Sequence, residues 1–238
     1  MVQRFYRLAW VLLLVVTSCW SQQDSKPVLF AGGVLNAASF SPSALPGGAI
    51  ARGSIFSIFG RNIGPAQPVQ VSQFPLPQQL GGVSIELTQG TTKQQLLPLF
   101  VSANQINALL LSNAPLGQVQ IPVSYTPSGG QAQTSNPASF EVVAHAPGIF
   151  TATGSGMGWR ILQNFKSHTD QPINQAVESI KPGQAGTLWL TGLGAVTGGD
   201  QNSPPVGDLP YDIEVWVGGR KVSRILYTGR APGISGLD

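Results

Sequence analysis

Charge is what this sequence lacks most. Only 10% of its 238 residues are Asp, Glu, Lys or Arg, against about 25% in ordinary soluble domains. Thirteen Lys plus Arg stand against ten Asp plus Glu, a formal net of +3. Arg4 and Arg7 belong to an N-terminal leader, so the rest of the chain is close to neutral. No stretch clusters Lys and Arg as phosphate contacts require, which excludes nucleic acid as a partner. There is one cysteine, Cys19, so no intramolecular disulfide framework exists. With two histidines, His145 and His168, no His-Glu-x-x-His or paired-cysteine spacing can be written, and no metal or cofactor site is expected. Past the leader no apolar run approaches the ~20 residues that span a bilayer as a helix.

Glycine (29) and proline (19) are abundant and fall between short apolar runs. That punctuation predicts many turns joining short strands. The N-terminus reads differently. Arg4 and Arg7 precede the unbroken apolar run Leu8–Val16, and small and polar residues follow. This is the pattern of a secretory signal over residues 1–21, followed by a tether over 22–27. Cys19 ends Val16-Thr17-Ser18-Cys19, which resembles a bacterial lipobox with Val16 in place of the usual Leu. Two fates stay open: lipidation of Cys19, giving a lipid anchor, or cleavage near Ser21, giving a free secreted protein.

The body is organised around Gly53-Ser54-Ile55-Phe56-Ser57-Ile58-Phe59-Gly60-Arg61-Asn62-Ile63-Gly64. Ile55, Ser57 and Phe59 fall on one face of a strand, and Phe56 and Ile58 on the other, which predicts a strand buried within the domain. Val83, Ile85 and Leu87 alternate with Ser84, Glu86 and Thr88, as in a half-buried strand. Further strands are expected at 96–101, 105–111, 119–125 and 139–143, with Pro122 marking an edge or a bulge. Roughly seven strands fit between Val28 and Ala144, the size of one immunoglobulin-like sandwich.

Weaker echoes return in the same order. Ile173-Asn174-Gln175-Ala176 answers Leu35-Asn36-Ala37-Ala38, and Gly186–Gly194 answers the stretch at Gly53. Ile213–Val217 answers Val83–Leu87, and Arg224–Tyr227 answers Leu97–Phe100. The shared order predicts a duplication. The expected fold is all-β: two tandem immunoglobulin-like β-sandwiches, residues 28–144 and 145–238. By the same repeat Asp238 corresponds to about Asn104, so the second sandwich is expected to be incomplete, with an open sheet edge.

The order of Gly53–Gly64, the Val83 strand, Gln105-Ile106-Asn107 and Ser135-Asn136-Pro137-Ala138-Ser139-Phe140 resembles that of IPT/TIG immunoglobulin-like domains. The whole body resembles an uncharacterised C-terminal region of secreted acidobacterial proteins. Its landmarks here are Asn36-Ala37-Ala38-Ser39-Phe40, Ser102–Ala108, Ala146–Thr151 and Thr191-Gly192-Leu193-Gly194. The resemblance implies export and β-structure, and no chemistry comes with it.

Catalytic residues are not indicated. His145 sits at the unit junction. His168 lies in the polar loop Lys166-Ser167-His168-Thr169-Asp170, and no Gly-x-Ser-x-Gly elbow supports a Ser/His/Asp relay. Asp200 and Asp208 share a loop without EF-hand spacing. Gly154-Ser155-Gly156-Met157-Gly158 has no helix after it to bind phosphate. Tryptophans remain: Trp159, Trp189 and Trp216 are candidate contacts for a protein or a glycan, set against a role in filling the interface between the units. The expected function is a secreted or envelope-attached, non-enzymatic structural or interaction module of unknown ligand. Polysaccharide binding through exposed tryptophan is the alternative, and the dearth of His, Asp and Glu disfavours a hydrolase.

Overall fold

A computed structural model describes residues 26–238. The described chain contains no helix and is all-β, with several antiparallel sheets. The leader and Cys19 lie outside the described residues.

Residues 28–143 form thirteen strands: β1 (Val28–Asn36), β2 (Ile50–Ala51), β3 (Ile55–Arg61), β4 (Val69–Gln70), β5 (Gln79–Leu80), β6 (Val83–Gln89), β7 (Thr92–Gln95), β8 (Leu97–Val101), β9 (Gln105–Leu109), β10 (Gly117–Ile121), β11 (Val123–Tyr125), β12 (Gln133–Thr134) and β13 (Ala138–Val143). One sheet runs β1-β3-β9-β8-β4. The other runs β12-β11-β6-β10-β13-β2, with β5 and β7 also paired to β6. The strands exceed seven because four two-residue strands, β2, β4, β5 and β12, add to the longer ones, and because one long strand is interrupted. Pro122, which has no N–H for a ladder, separates β10 from β11. β10 pairs with β13 along its length, whereas β11 pairs with β6 and β12.

The sheets meet face to face. β3 lies between β1 and β9, as a strand apolar on both faces should. Its Phe56 and Ile58 are fully buried and join Ile106 of β9, the Val83/Ile85/Leu87 face of β6, and Val119 and Ile121 of β10. Phe56 and Phe140 stack across the sheets at 5.7 Å between ring centroids. The opposite face of β3 is also covered. Ser57 is buried, and a second apolar cluster of Leu76, Leu97 and Leu109 lies on the outer side of this sheet.

Residues 145–238 contain six shorter strands: β14 (Gly148–Ile149), β15 (Leu162–Asn164), β16 (Gly186–Leu188), β17 (Leu190–Thr191), β18 (Trp216–Val217) and β19 (Arg220–Lys221). They pair as β14–β17, β15–β16 and β18–β19. Both apolar core clusters are built from residues before 145. Apart from glycines, Ala146 and Ala231, the buried residues after 144 are polar: Thr151, Asn164, Thr191, Arg230, Ser235 and Asp238. This half of the chain is therefore held by hydrogen bonds to backbone more than by apolar burial.

Two hairpins share the same local register. In β6–β7, Thr88 faces Lys93 and Gln89 faces Thr92. In β18–β19, Trp216 faces Lys221 and Val217 faces Arg220, each 128 residues further on. Lys93 pairs with Glu86 at 3.0 Å across the first hairpin, and Lys221 pairs with Glu214 across the second. The ladders thus align Glu214 with Glu86, two residues away from the match that apolar alternation gives. A slip of two leaves every side chain on its own face, so alternation cannot detect it.

Candidate functional site

The two halves are joined at a buried polar node. The turn before β3 brings the Gly53 carbonyl inward, and Arg230 Nη2 donates to it at 2.7 Å and to the Gly194 carbonyl at 2.5 Å. Arg230 Nη1 donates to Asp238 Oδ1, and the Leu193 N–H donates to Asp238 Oδ2 at 2.9 Å. Burial pushes the guanidinium down to about 10, partly opposed by the negative charge of Asp200 and by Tyr211. It therefore stays charged at neutral pH, and Asp238 supplies the counter-charge. Gly53 has φ +67, and a Cβ there would stand 2.6 Å from Arg230 Nη2. Only glycine fits this approach.

Shorter links reinforce the node. The Thr191 hydroxyl accepts from the Ile55 N–H at 2.9 Å and donates to the Gly236 carbonyl at 2.5 Å. Asp238 and Leu190 exchange two backbone hydrogen bonds, at 2.7 and 3.0 Å. Asp200 accepts from the Ser112 N–H at 2.8 Å and from its hydroxyl at 2.7 Å. Asp200, Asp238 and Arg230 are thus all engaged in holding strand to loop.

Beside the node is a cleft of about 500 Å³. Its floor is the outer side of the five-stranded sheet at Asn107, Leu99 and Phe100. One wall is the 70–76 loop, and the other is Ser203 with residues 233–235. Asn107 Oδ1 accepts from Ser57 Oγ and from Gln105 Nε2, both at 2.9 Å. Sequence reasoning missed this site. Its one local signal is the pair of polar residues, Ser57 and Asn107, set within the apolar strands β3 and β9.

The tryptophans are scattered. Trp159 and Trp216 are exposed, at 71% and 60%. Trp216 Nε1 donates to Glu214 Oε2 at 3.2 Å, which holds the indole on the hairpin. Trp189 is half-buried and donates to Gln163 Oε1 at 2.5 Å. Ring contacts among the described residues pair Phe40 with Phe59, Phe56 with Phe140, His145 with Tyr211 and Phe165 with His168, so no tryptophan stacks on another.

His145 does lie at the junction: its Nδ1 is 2.6 Å from the Leu193 carbonyl and its ring meets Tyr211 edge-on. The Ser167 hydroxyl pairs with Thr169 Oγ1 at 3.4 Å, and the His168 ring packs against Phe165, so this loop assembles no relay. Asp208 accepts from the Thr228 N–H at 2.7 Å, whereas Asp200 is held by Ser112. Among the described residues no group of three or more His, Cys, Asp or Glu could hold a metal ion. The glycine-rich loop closes on itself, with the Thr153 and Ser155 hydroxyls donating to the Met157 carbonyl. No helix of the described chain is long and apolar enough to cross a membrane.

No protein-family model and no curated protein matches the sequence. Among solved structures, that of a "putative phosphatase" from Bacteroides thetaiotaomicron aligns at 16% identity and a TM-score of 0.26. The alignment covers 65% of this chain and 25% of that one. A TM-score this low carries no inference about fold or activity.

Proposed function

We propose that the protein is an exported, non-enzymatic pair of immunoglobulin-like modules that acts as a stiff, low-charge spacer or interaction unit outside the cell or on its envelope. The buried node carries this reading. Arg230 ties the turn at Gly53, the loop at Gly194 and Asp238 together, so the two halves resist hinging. The duplication is supported by the twin hairpins with Glu86–Lys93 and Glu214–Lys221 in the same register. Export rests on the leader, and membership of the acidobacterial region on the sequence landmarks.

Calorimetry of the full chain tests the rigid junction. The expected outcome is one cooperative transition, with Arg230→Ala lowering stability by about 3–5 kcal/mol because Asp238 is left buried and unpaired. Two resolved transitions in the unaltered protein would sink the spacer reading. Turnover of a phosphate ester, carboxylic ester or glycoside above buffer would sink the non-enzymatic one.

Trp216 favours a second reading. An indole 60% exposed and fixed by Glu214 is a platform for a polysaccharide. Loss of glycan binding in Trp216→Ala is its test.

A further inference from the structure

The cleft between the five-stranded sheet and residues 233–235 has a composition that selects its ligand. None of its lining residues is Asp, Glu, Lys, Arg or His. A phosphate or carboxylate entering it would shed hydration without meeting a counter-charge, which is costly. The polar groups present are carboxamides and hydroxyls, including Gln70, Gln73, Asn107 and Ser203, and they alternate with Phe74 and Phe100. Directional neutral donors beside an aromatic face suit a molecule that carries hydroxyls on its edges and C–H groups on its faces.

Asn107 gives the site its polarity. Its Oδ1 is engaged by Ser57 and Gln105, which fixes the plane of the amide. Among the described residues its Nδ2 meets no acceptor, so two N–H donors are presented by a side chain already held in place. Preorganisation of this kind lowers the ordering cost of binding. A volume of about 500 Å³ falls in the range of small-molecule sites and accommodates one or two pyranose rings.

We propose that this cleft is a binding site for a neutral saccharide, with Asn107 Nδ2 donating to sugar oxygens and Phe100 stacking on the C–H face of a ring. The assignment rests on the reading of the protein as an interaction unit, and it places the ligand at the junction of the two halves, away from the Trp216 hairpin.

Titration calorimetry of the full chain with maltotetraose, cellotetraose and mannotetraose, alongside tetragalacturonate as the charged arm, tests it. At least one neutral tetrasaccharide is expected to bind, and tetragalacturonate is not. Asn107→Asp keeps the acceptor that Ser57 and Gln105 use but removes both donors. Ile234→Trp, at an exposed rim position, narrows the mouth without touching the core. Each is expected to weaken binding roughly tenfold or more, and Ile234→Trp does so with the melting temperature unchanged, which separates loss of the site from loss of the fold. Absence of neutral binding, binding retained in both variants, or loss only in Trp216→Ala overturns the proposal and leaves the spacer reading intact. Cleavage of a bound tetrasaccharide would instead overturn the non-enzymatic reading.

Discussion

At the scale of single residues, the ion pairs are of two kinds. Arg230 and Asp238 are buried and paired with each other, and their energetics are those of desolvation balanced by contact. Glu214 is exposed, Glu178 is half-buried, and both are paired with lysine. The hydrogen bond from Lys221 holds the Glu214 carboxyl below its ordinary 4.5, with the Trp216 indole helping and burial slightly opposing. Lys166 does the same for Glu178. For a carboxyl lowered in the folded state, the stabilisation is present above pH 4.5 and is lost as pH falls through the lowered value. Carbon-detected NMR titration of Lys221→Ala should therefore move the Glu214 midpoint upward toward 4.5. An unmoved midpoint would mean that the hairpin ion pair does not form in solution. None of these pairings was legible in the sequence. Arg230 sits between Gly229 and Ala231, and its partners at 53 and 194 are far away along the chain.

At the scale of elements, the alternation of apolar residues carried most of the information. It located β3 and β6, and Pro122 marked the break between β10 and β11. Alternation works there because each strand buries one or two whole faces. It works poorly after residue 144, where ladders are two or three residues long and several apolar side chains in and between them stay in water; Val177, Val206 and Val217 are 89%, 77% and 59% exposed. The cleft escaped notice for another reason. Its walls come from loops near 70–76, 203 and 233–235, whose meeting is a property of the packed chain and not of any one segment. The contrast between halves has a measurable consequence. Ile58→Ala, in the fully buried face of β3, should cost about 2–5 kcal/mol in denaturant unfolding. Val217→Ala should cost under about 0.5 kcal/mol, as surface substitutions do. Equal costs would show that the apolar core is not confined to the first thirteen strands.

At the scale of the whole molecule, a sandwich with its own core carries a less regular half that is docked by hydrogen bonds. The contact of Arg230 with Gly53 spans 177 positions of sequence, whereas both core clusters are complete by residue 142. That separation sets an order of events in time. Closing so long a loop is entropically unfavourable until its target surface exists, so the node forms after the sandwich has condensed. The amino-acid distribution supplies a natural clock, because residues 26–144 contain no tryptophan, while Trp159, Trp189 and Trp216 all lie in the later half. In stopped-flow refolding, far-ultraviolet dichroism should report the early sheets and tryptophan emission should lag behind it. Coincident traces would mean that the two halves gain structure together, and the junction would then be part of the folding nucleus.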